Sequence, residues 1–143
     1  MNLYQYDFTD FGADPVGERA RFVYMPLDSY WEEKNRYPFL IYDGNKIAGF
    51  ALVNQTSLLA NSNTHSIAEF FILRYLRHKK VGIAAAGDII SRFPGIWEIS
   101  QTYQNVGAQN FWLKTITSLV DENFERIDLK EIQKIVLRFE YRV

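Results

Sequence analysis

Apolar positions change their spacing several times along this chain, and each change predicts an element. "YPFLIYDGNKIAGFALVNQ" holds two apolar runs, Pro38–Tyr42 and Lys46–Asn54, separated by Asp-Gly-Asn-Lys. Asp-Gly is a strong short-hairpin signal, so the runs are expected to pair antiparallel. "HSIAEFFIL" (His65–Leu73) is almost continuously apolar, which predicts a central strand buried on both faces. Ile83, Ala86, Ile90 and Phe93 then recur at helical spacing over Gly82–Phe93, and Pro94-Gly95 stops the helix. "IWEISQT" reads as a strand. Asn105–Val120 reads as a second amphipathic helix, with Val106, Leu113, Ile116 and Val120 on one side. "QKIVLRFEYRV" alternates as a last strand, preceded by a short one near Phe124–Ile127. Strand, helix, strand, helix across residues 65–120 implies a right-handed crossover and a parallel strand pair.

The N-terminal third is less regular. "LYQYDF" alternates as a first strand would, Gly12–Glu18 ("GADPVGE") has loop chemistry, and Leu27–Glu33 fits a short helix capped by Asp28 or Ser29. The expected class is α/β: one domain spanning 1–143, with a mixed, mostly antiparallel sheet flanked by helices.

Composition narrows the chemistry. The chain has 143 residues, 48% hydrophobic and 23% charged, a globular balance. Net charge is −1, so a site for an anion must be local and no global field draws in nucleic acid or membrane. With no cysteine there are no disulfides, thiolate metal sites or cysteine nucleophile. Two histidines are too few for a histidine metal centre, so no metal is expected. "MNLYQYDFTD" lacks the pattern of a signal peptide, and no apolar run approaches the roughly 20 residues of a membrane span. A cytoplasmic location is the expectation.

"LRHKKVGIAAAGDII" (Leu76–Ile90) presents a conflict. Arg77, His78, Lys79 and Lys80 stand directly before a helix start, where the dipole disfavours cations. A bound anion at free backbone N–H groups would resolve it, with Gly82 permitting close approach. A solvated charge run is the plainer reading. The Walker and dinucleotide-binding patterns are both absent.

"FFILRYLRHKKVGIAAA" followed by "NVGAQNFW" resembles the GNAT superfamily of acyl-CoA-dependent N-acetyltransferases. The superfamily's pyrophosphate loop reads Arg/Gln-x-x-Gly-x-Gly/Ala. Arg77 matches its first position and Gly82 its last, while Lys80 replaces the first glycine; Lys79-x-x-Gly82-x-Ala84 is a second register. Asn105, Ala108, Phe111 and Trp112 are similar to the superfamily's Asn-x-x-Ala-x-x-Phe-Tyr. The resemblance covers about residues 38–117, and "RFPGIWEI" is similar to an uncharacterised branch of predicted acetyltransferases.

The resemblance implies that the two parallel strands splay and admit acetyl-CoA. Main-chain groups near Phe71, Ile72 and Arg74 would pair with the pantetheine. Arg77, His78, Lys79, Lys80, Val81, Gly82, Ile83 and Ala84 would surround the pyrophosphate, with Asn105 and Trp112 beside the pantetheine. Asn105 also suits a plain helix cap. Glu69, an ionisable residue in an apolar strand, should be desolvated and hence raised in pKa; it is either a general base or one half of an ion pair. Trp112 stands where the family often has the tyrosine that protonates the departing thiolate, and indole cannot do so. Tyr103 is the nearby candidate. Tyr24, Tyr30, Trp31 and Tyr37, with Asp28, Glu32 and Glu33, would suit an amine acceptor or simply pack.

The implied function is acetyl transfer from acetyl-CoA to a primary amine, small-molecule or peptide, by direct attack. A homodimer is compatible with the sequence. A non-catalytic CoA-binding module is the alternative, and an RNA-binding surface lacks the extended basic face.

Overall fold

The computed structural model describes residues 1–11 and 27–143. At its centre is a six-stranded sheet in the order β1-β2-β3-β4-β6-β5, with β1 Arg36–Asp43, β2 Lys46–Asn54, β3 Thr64–Ile72, β4 Gly95–Thr102, β5 Phe124–Leu129 and β6 Lys134–Tyr141. β3 and β4 run parallel and every other neighbouring pair is antiparallel. The sheet is flanked by helices α1 Asn2–Asp7, α2 Ser29–Glu32, α3 Val81–Ser91 and α4 Val106–Val120. The α/β class and the mixed sheet are thus as expected. No helix among the described residues is long and apolar enough to cross a membrane.

The expected hairpin is β1–β2. Asp43 pairs with Lys46 across Gly44-Asn45, and Gly44 takes the positive φ (+62°) of a tight turn. Gly95, at φ +129°, adopts a conformation that side-chain-bearing residues avoid and opens β4 just after Pro94.

The sheet has two unlike faces. Trp97 and Ile99 of β4 and Ile135, Leu137 and Phe139 of β6 join Ala86, Ile89 and Ile90 of α3 and Trp112 and Ile116 of α4 in one core. On the opposite face Tyr4 of α1 meets Phe50 and Phe71 edge-on, with centroids 5.5 and 5.9 Å away. There too Asn54 donates to the buried Tyr30 hydroxyl of α2 at 3.2 Å.

Three expectations need correction. "LYQYDF" is helical, because Tyr4 and Phe8 lie four residues apart on one face, with rings 4.7 Å apart, and together cover the sheet. The buried stripe of α4 is Trp112, Thr115 and Ile116: of the expected face Ile116 is buried and Val120 packs against the core, while Val106 and Leu113 are exposed. β3 is not buried throughout: Ala68 is exposed and Glu69 and Phe70 are half-buried, because β4 leaves its side. The Gly12–Glu18 loop lies outside the described residues.

Candidate functional site

The parallel ladder between β3 and β4 is short. Thr64 pairs with Ile96, His65 with Trp97 and Ser66 with Glu98. Beyond these, β3 continues to Ile72 and β4 to Thr102 without pairing to each other. The cause lies in β3 itself. Leu52 of β2 pairs with Glu69 but Val53 with Ile67, so Ala68 is an extra, bulged residue. A bulge bends and twists its strand, and this one comes just past the last parallel pair. Glu98 fastens the closed end. Its buried carboxylate accepts from Ser57 Oγ (2.7 Å), Leu58 N (3.0 Å) and Asn61 Nδ2 (3.1 Å), tying the loop before β3 to β4.

The result is a cleft of about 380 Å³ that passes through the sheet. Tyr4 and Gln5 of α1 and Phe8 just after it, with Glu69, Ser100 and Lys134, line one face; Phe70, Gln101, Asn105, Ala108 and Trp112 line the other. Phe70 stacks on Phe111 (5.5 Å, 27°) and lies edge-on to Trp112, so an aromatic wall closes the α4 side.

Glu69 is the ionisable group nearest the middle. Burial pushes its carboxyl up to about 7, and the charge of Lys134 offsets only part of that rise. The Tyr4 hydroxyl donates a hydrogen bond to Glu69 Oε2. Tyr4, expected in a strand, is therefore the phenol within the cleft. The four-residue spacing of Tyr4 and Phe8 suits a helix but over so short a window does not exclude a strand.

At the end of β3 the chain turns through Arg74–Leu76 into the basic loop. His78 and Lys80 both adopt left-handed backbone, at φ +62° and +64°. Lys80 thus holds, at some cost, a conformation that glycine adopts freely. The first α-helical bond of α3 runs from Ala84 N to Lys80 O at 3.1 Å, so the N–H groups of Val81, Gly82 and Ile83 precede the helical ladder. A Cβ at Gly82 would come within 3.1 Å of the Phe111 ring and 3.5 Å of Ile72 Cγ1. Close packing of α3 on α4 is therefore sufficient reason for glycine there.

Arg77 is held on two sides. Its Nε donates to the Ile72 carbonyl at 2.8 Å and its Nη2 pairs with Asp7 at the end of α1. Arg74 Nη2 reaches the same carboxylate at 2.9 Å. Burial pushes the Asp7 carboxyl up, but the two guanidiniums outweigh it and hold the group below the usual carboxylate range. His78, Lys79, Lys80 and Ala84 are exposed.

Main-chain direction along β3 follows from its register. Leu73 N donates to Ala48 O at 2.8 Å, so by alternation Phe71 also faces β2 while Phe70 and Ile72 face the open edge. Phe70, rather than Phe71, presents its backbone to the cleft beside Ile72, whose carbonyl is already taken by Arg77. Asn105 caps α4, accepting from Ala108 N at 3.0 Å, and also lines the cleft. Trp112 lines it too. Tyr103 does not: its N–H binds Gln133 O at 3.0 Å, and burial together with the neighbouring Asp128, which it hydrogen-bonds, raises its phenol.

The aromatics expected near an acceptor lie elsewhere. Tyr30 is buried under Asn54, Trp31 is exposed, and Tyr37 packs on Phe93 at 4.8 Å; Tyr24 lies outside the described residues. None of the described three lines the cleft. Among the described residues no group of three or more acidic or histidine side chains is arranged to hold a metal ion.

No family model matches the sequence, and no curated protein is similar to it at the sequence level. Solved structures are similar. An acetyltransferase from Thermus thermophilus superposes with a TM-score of 0.71 at 13% identity, over 96% of this chain and 84% of that one. A Bacillus subtilis acetyltransferase in complex with CoA gives 0.60 at 18%, over 99% and 94%. A GNAT-family acetyltransferase from Staphylococcus aureus gives 0.62 at 12%, over 99% and 90%. The chain has the fold of the GNAT acetyltransferases.

Proposed function

We propose that this protein transfers an acetyl group from acetyl-CoA to a primary amine. The observation that carries the reading is the splayed β3/β4 pair, which opens a cleft next to the unladdered N–H groups at the start of α3. Phosphate is favoured at such a helix start, and Arg77, His78, Lys79 and Lys80 add positive charge around it. The pantetheine arm extends the open edge of β3 like an added strand, meeting the main chain of Phe70 and Ile72, with Asn105 and Trp112 on the α4 side. The thioester then lies in the cleft, and the amine enters from the face of Tyr4 and Glu69.

Glu69 is the general base. With a pKa of about 7 it can take a proton from an ammonium near neutral pH. The freed amine attacks the thioester carbon, the C–N bond forms, the C–S bond breaks, and the second proton that the nitrogen sheds on becoming an amide passes through water to the departing sulfur, so that CoA leaves as the thiol. Most of the acceleration comes from holding the two reactants together and from backbone N–H groups of the splayed strand polarising the thioester carbonyl. Tyr103, turned towards Asp128, is not given the protonation of the thiolate.

Acetyl-CoA at 100 times its Kd should stabilise the fold by about 2.7 kcal/mol and raise Tm by several degrees. An unmoved melting curve at saturating acetyl-CoA rejects the reading; CoA release on adding an amine completes it.

A further inference from the structure

We infer that Gln101 binds the acyl donor: its side-chain oxygen accepts the N–H of the pantetheine amide nearest the thioester. The inference rests on the acetyl-transfer reading and deepens it, adding the contact that fixes where the thioester stops along the cleft. Trp97 and Ile99 of β4 join the core with α3 and α4, and Gln101, two residues further on, shares their face. It is 6% exposed and lines the cleft. Its Nε2 donates to the Ile99 carbonyl at 3.1 Å, which sets the orientation of the amide and turns Oε1 away from that carbonyl. Oε1 is buried and accepts from none of the described residues. A buried acceptor without a donor costs stability and is uncommon in folded proteins. The Ile99 contact does not account for a glutamine here. Tyr103 N donates to Gln133 O, so by alternation along β4 the main chain of Ile99 already bonds to that of Leu137. An apolar side chain of the same length would fill the space without an unsatisfied oxygen.

The place of Gln101 selects the group that satisfies it. Tyr4 and Glu69 bound the cleft on the α1 face, where the amine enters, whereas Gln101 bounds it on the α4 face with Phe70, Asn105 and Trp112. On that face lies the pantetheine arm. Its hydrogen-bond donors are a hydroxyl and two secondary amides, while the acetyl group has none and the thioester only accepts. The level along the strands chooses between the amides. Counting on from Ser66 beside Glu98, with Ala68 as the extra residue, brings Glu69 level with Ser100 and Phe70 level with Gln101. Gln101 is therefore one residue from the level of the base, and the amide next to the thioester is the one that reaches it.

The test is titration calorimetry of wild type and Gln101→Met with three ligands. These are acetyl-CoA, an acetyl-CoA analogue with an ester oxygen in place of that amide N–H, and adenosine 3′,5′-bisphosphate, which lacks the arm. Acetyl-CoA should bind Gln101→Met roughly 5- to 100-fold more weakly than wild type, the range for a buried donor left unpaired. The nucleotide should bind both proteins alike. The analogue should lose a similar factor on wild type, and Gln101→Met should bind it no more weakly than it binds acetyl-CoA, because both changes remove one and the same pair. The ligand-free variant should melt at or above the wild-type temperature, whereas a merely structural glutamine would lower it. Several results overturn the inference while leaving acetyl transfer intact: equal acetyl-CoA affinities in the two proteins, an equal loss for the nucleotide, a lower melting temperature, or a wild type that binds the analogue as well as acetyl-CoA. The last comparison needs no variant, so it decides the matter even if Gln101→Met does not fold. A wild type that binds neither acetyl-CoA nor the analogue overturns the acetyl-transfer reading, and this inference with it.

Discussion

Replacing Glu69 with Gln should stabilise the protein at pH 8 relative to pH 4. Burial lifts the Glu69 carboxyl from 4.5 to about 7. One pH unit is worth 1.36 kcal/mol, so keeping this carboxylate ionised costs the fold about 3 kcal/mol more than it costs the unfolded chain. The sign follows from proton uptake. The folded-state pKa is the higher one, so folding binds a proton between 4.5 and 7. The contribution of Glu69 is fully present below 4.5 and lost as pH rises through 7. Glutamine does not titrate. Urea unfolding of both proteins from pH 4 to 8.5 should therefore show the variant gaining up to about 3 kcal/mol on the wild type, with unchanged m-values. Tyr4→Phe provides an internal control. Its hydroxyl donates to the Glu69 carboxylate and favours the charged form, so its loss should move the titration to higher pH. The same midpoint should govern turnover, with kcat/KM rising to a plateau above it. Stability profiles that run parallel at every pH would mean that α1 does not shield Glu69, and that Glu69 lacks the raised pKa a base needs here.

Two further predictions concern the loop. Lys80→Gly should stabilise the apo protein by about 1 kcal/mol, because glycine adopts the φ +64°, ψ 0° conformation without strain; a loss of stability in urea unfolding contradicts this. Asp7→Asn should cost about 1 kcal/mol near neutral pH through its partly exposed pairs with Arg77 and Arg74. Since the Asp7 pKa is depressed, that deficit should be complete above the ordinary carboxylate value of 3.8 and be lost as pH falls below it, through the lower folded-state pKa. CoA should bind the same variant several-fold more tightly by calorimetry, because Arg77 no longer has a competing anion; weaker binding refutes the competition.

Much of the sheet was legible because its signals are local. Asp43-Gly44 fixes a hairpin whatever surrounds it, and the helical spacing of Ala86 and Ile90 survives in the core of α3. The failures came where tertiary context decides. Leu3, Tyr4 and Tyr6 fit a strand or a helix equally well over so short a window, and only the sheet face beneath, with Phe50 and Phe71, selects the helix. The face of α4 was misjudged because Val106 and Leu113 count as apolar in the pattern yet face outward, whereas Thr115, fully buried, donates to Phe111 O at 2.8 Å and passes as core. The desolvation of Glu69 was readable from its apolar neighbours. Its partner Tyr4 was not, since no sequence pattern links residues 65 positions apart. The clamp at Glu98 was missed for the same reason.

The cationic run before α3 follows from these contacts. Arg77 does not face the helix dipole unaided: one side of its guanidinium is on the Ile72 carbonyl and the other on Asp7, while His78, Lys79 and Lys80 are exposed to solvent. Asp7 thus neutralises the arginine that a phosphate would otherwise claim. The same helix that carries Asp7 at its end carries Tyr4 in its middle, on Glu69. A phosphate arriving at the loop and an amine arriving at Glu69 would therefore press on one short element from two sides. If α1 yields at Asp7, the hydrogen bond at Glu69 is disturbed with it. The order in which the two substrates bind should accordingly matter, with CoA first loosening the helix that covers the acceptor side. Amine binding measured with and without saturating CoA tests this coupling directly: equal affinities would mean that α1 holds its place whatever occupies the loop.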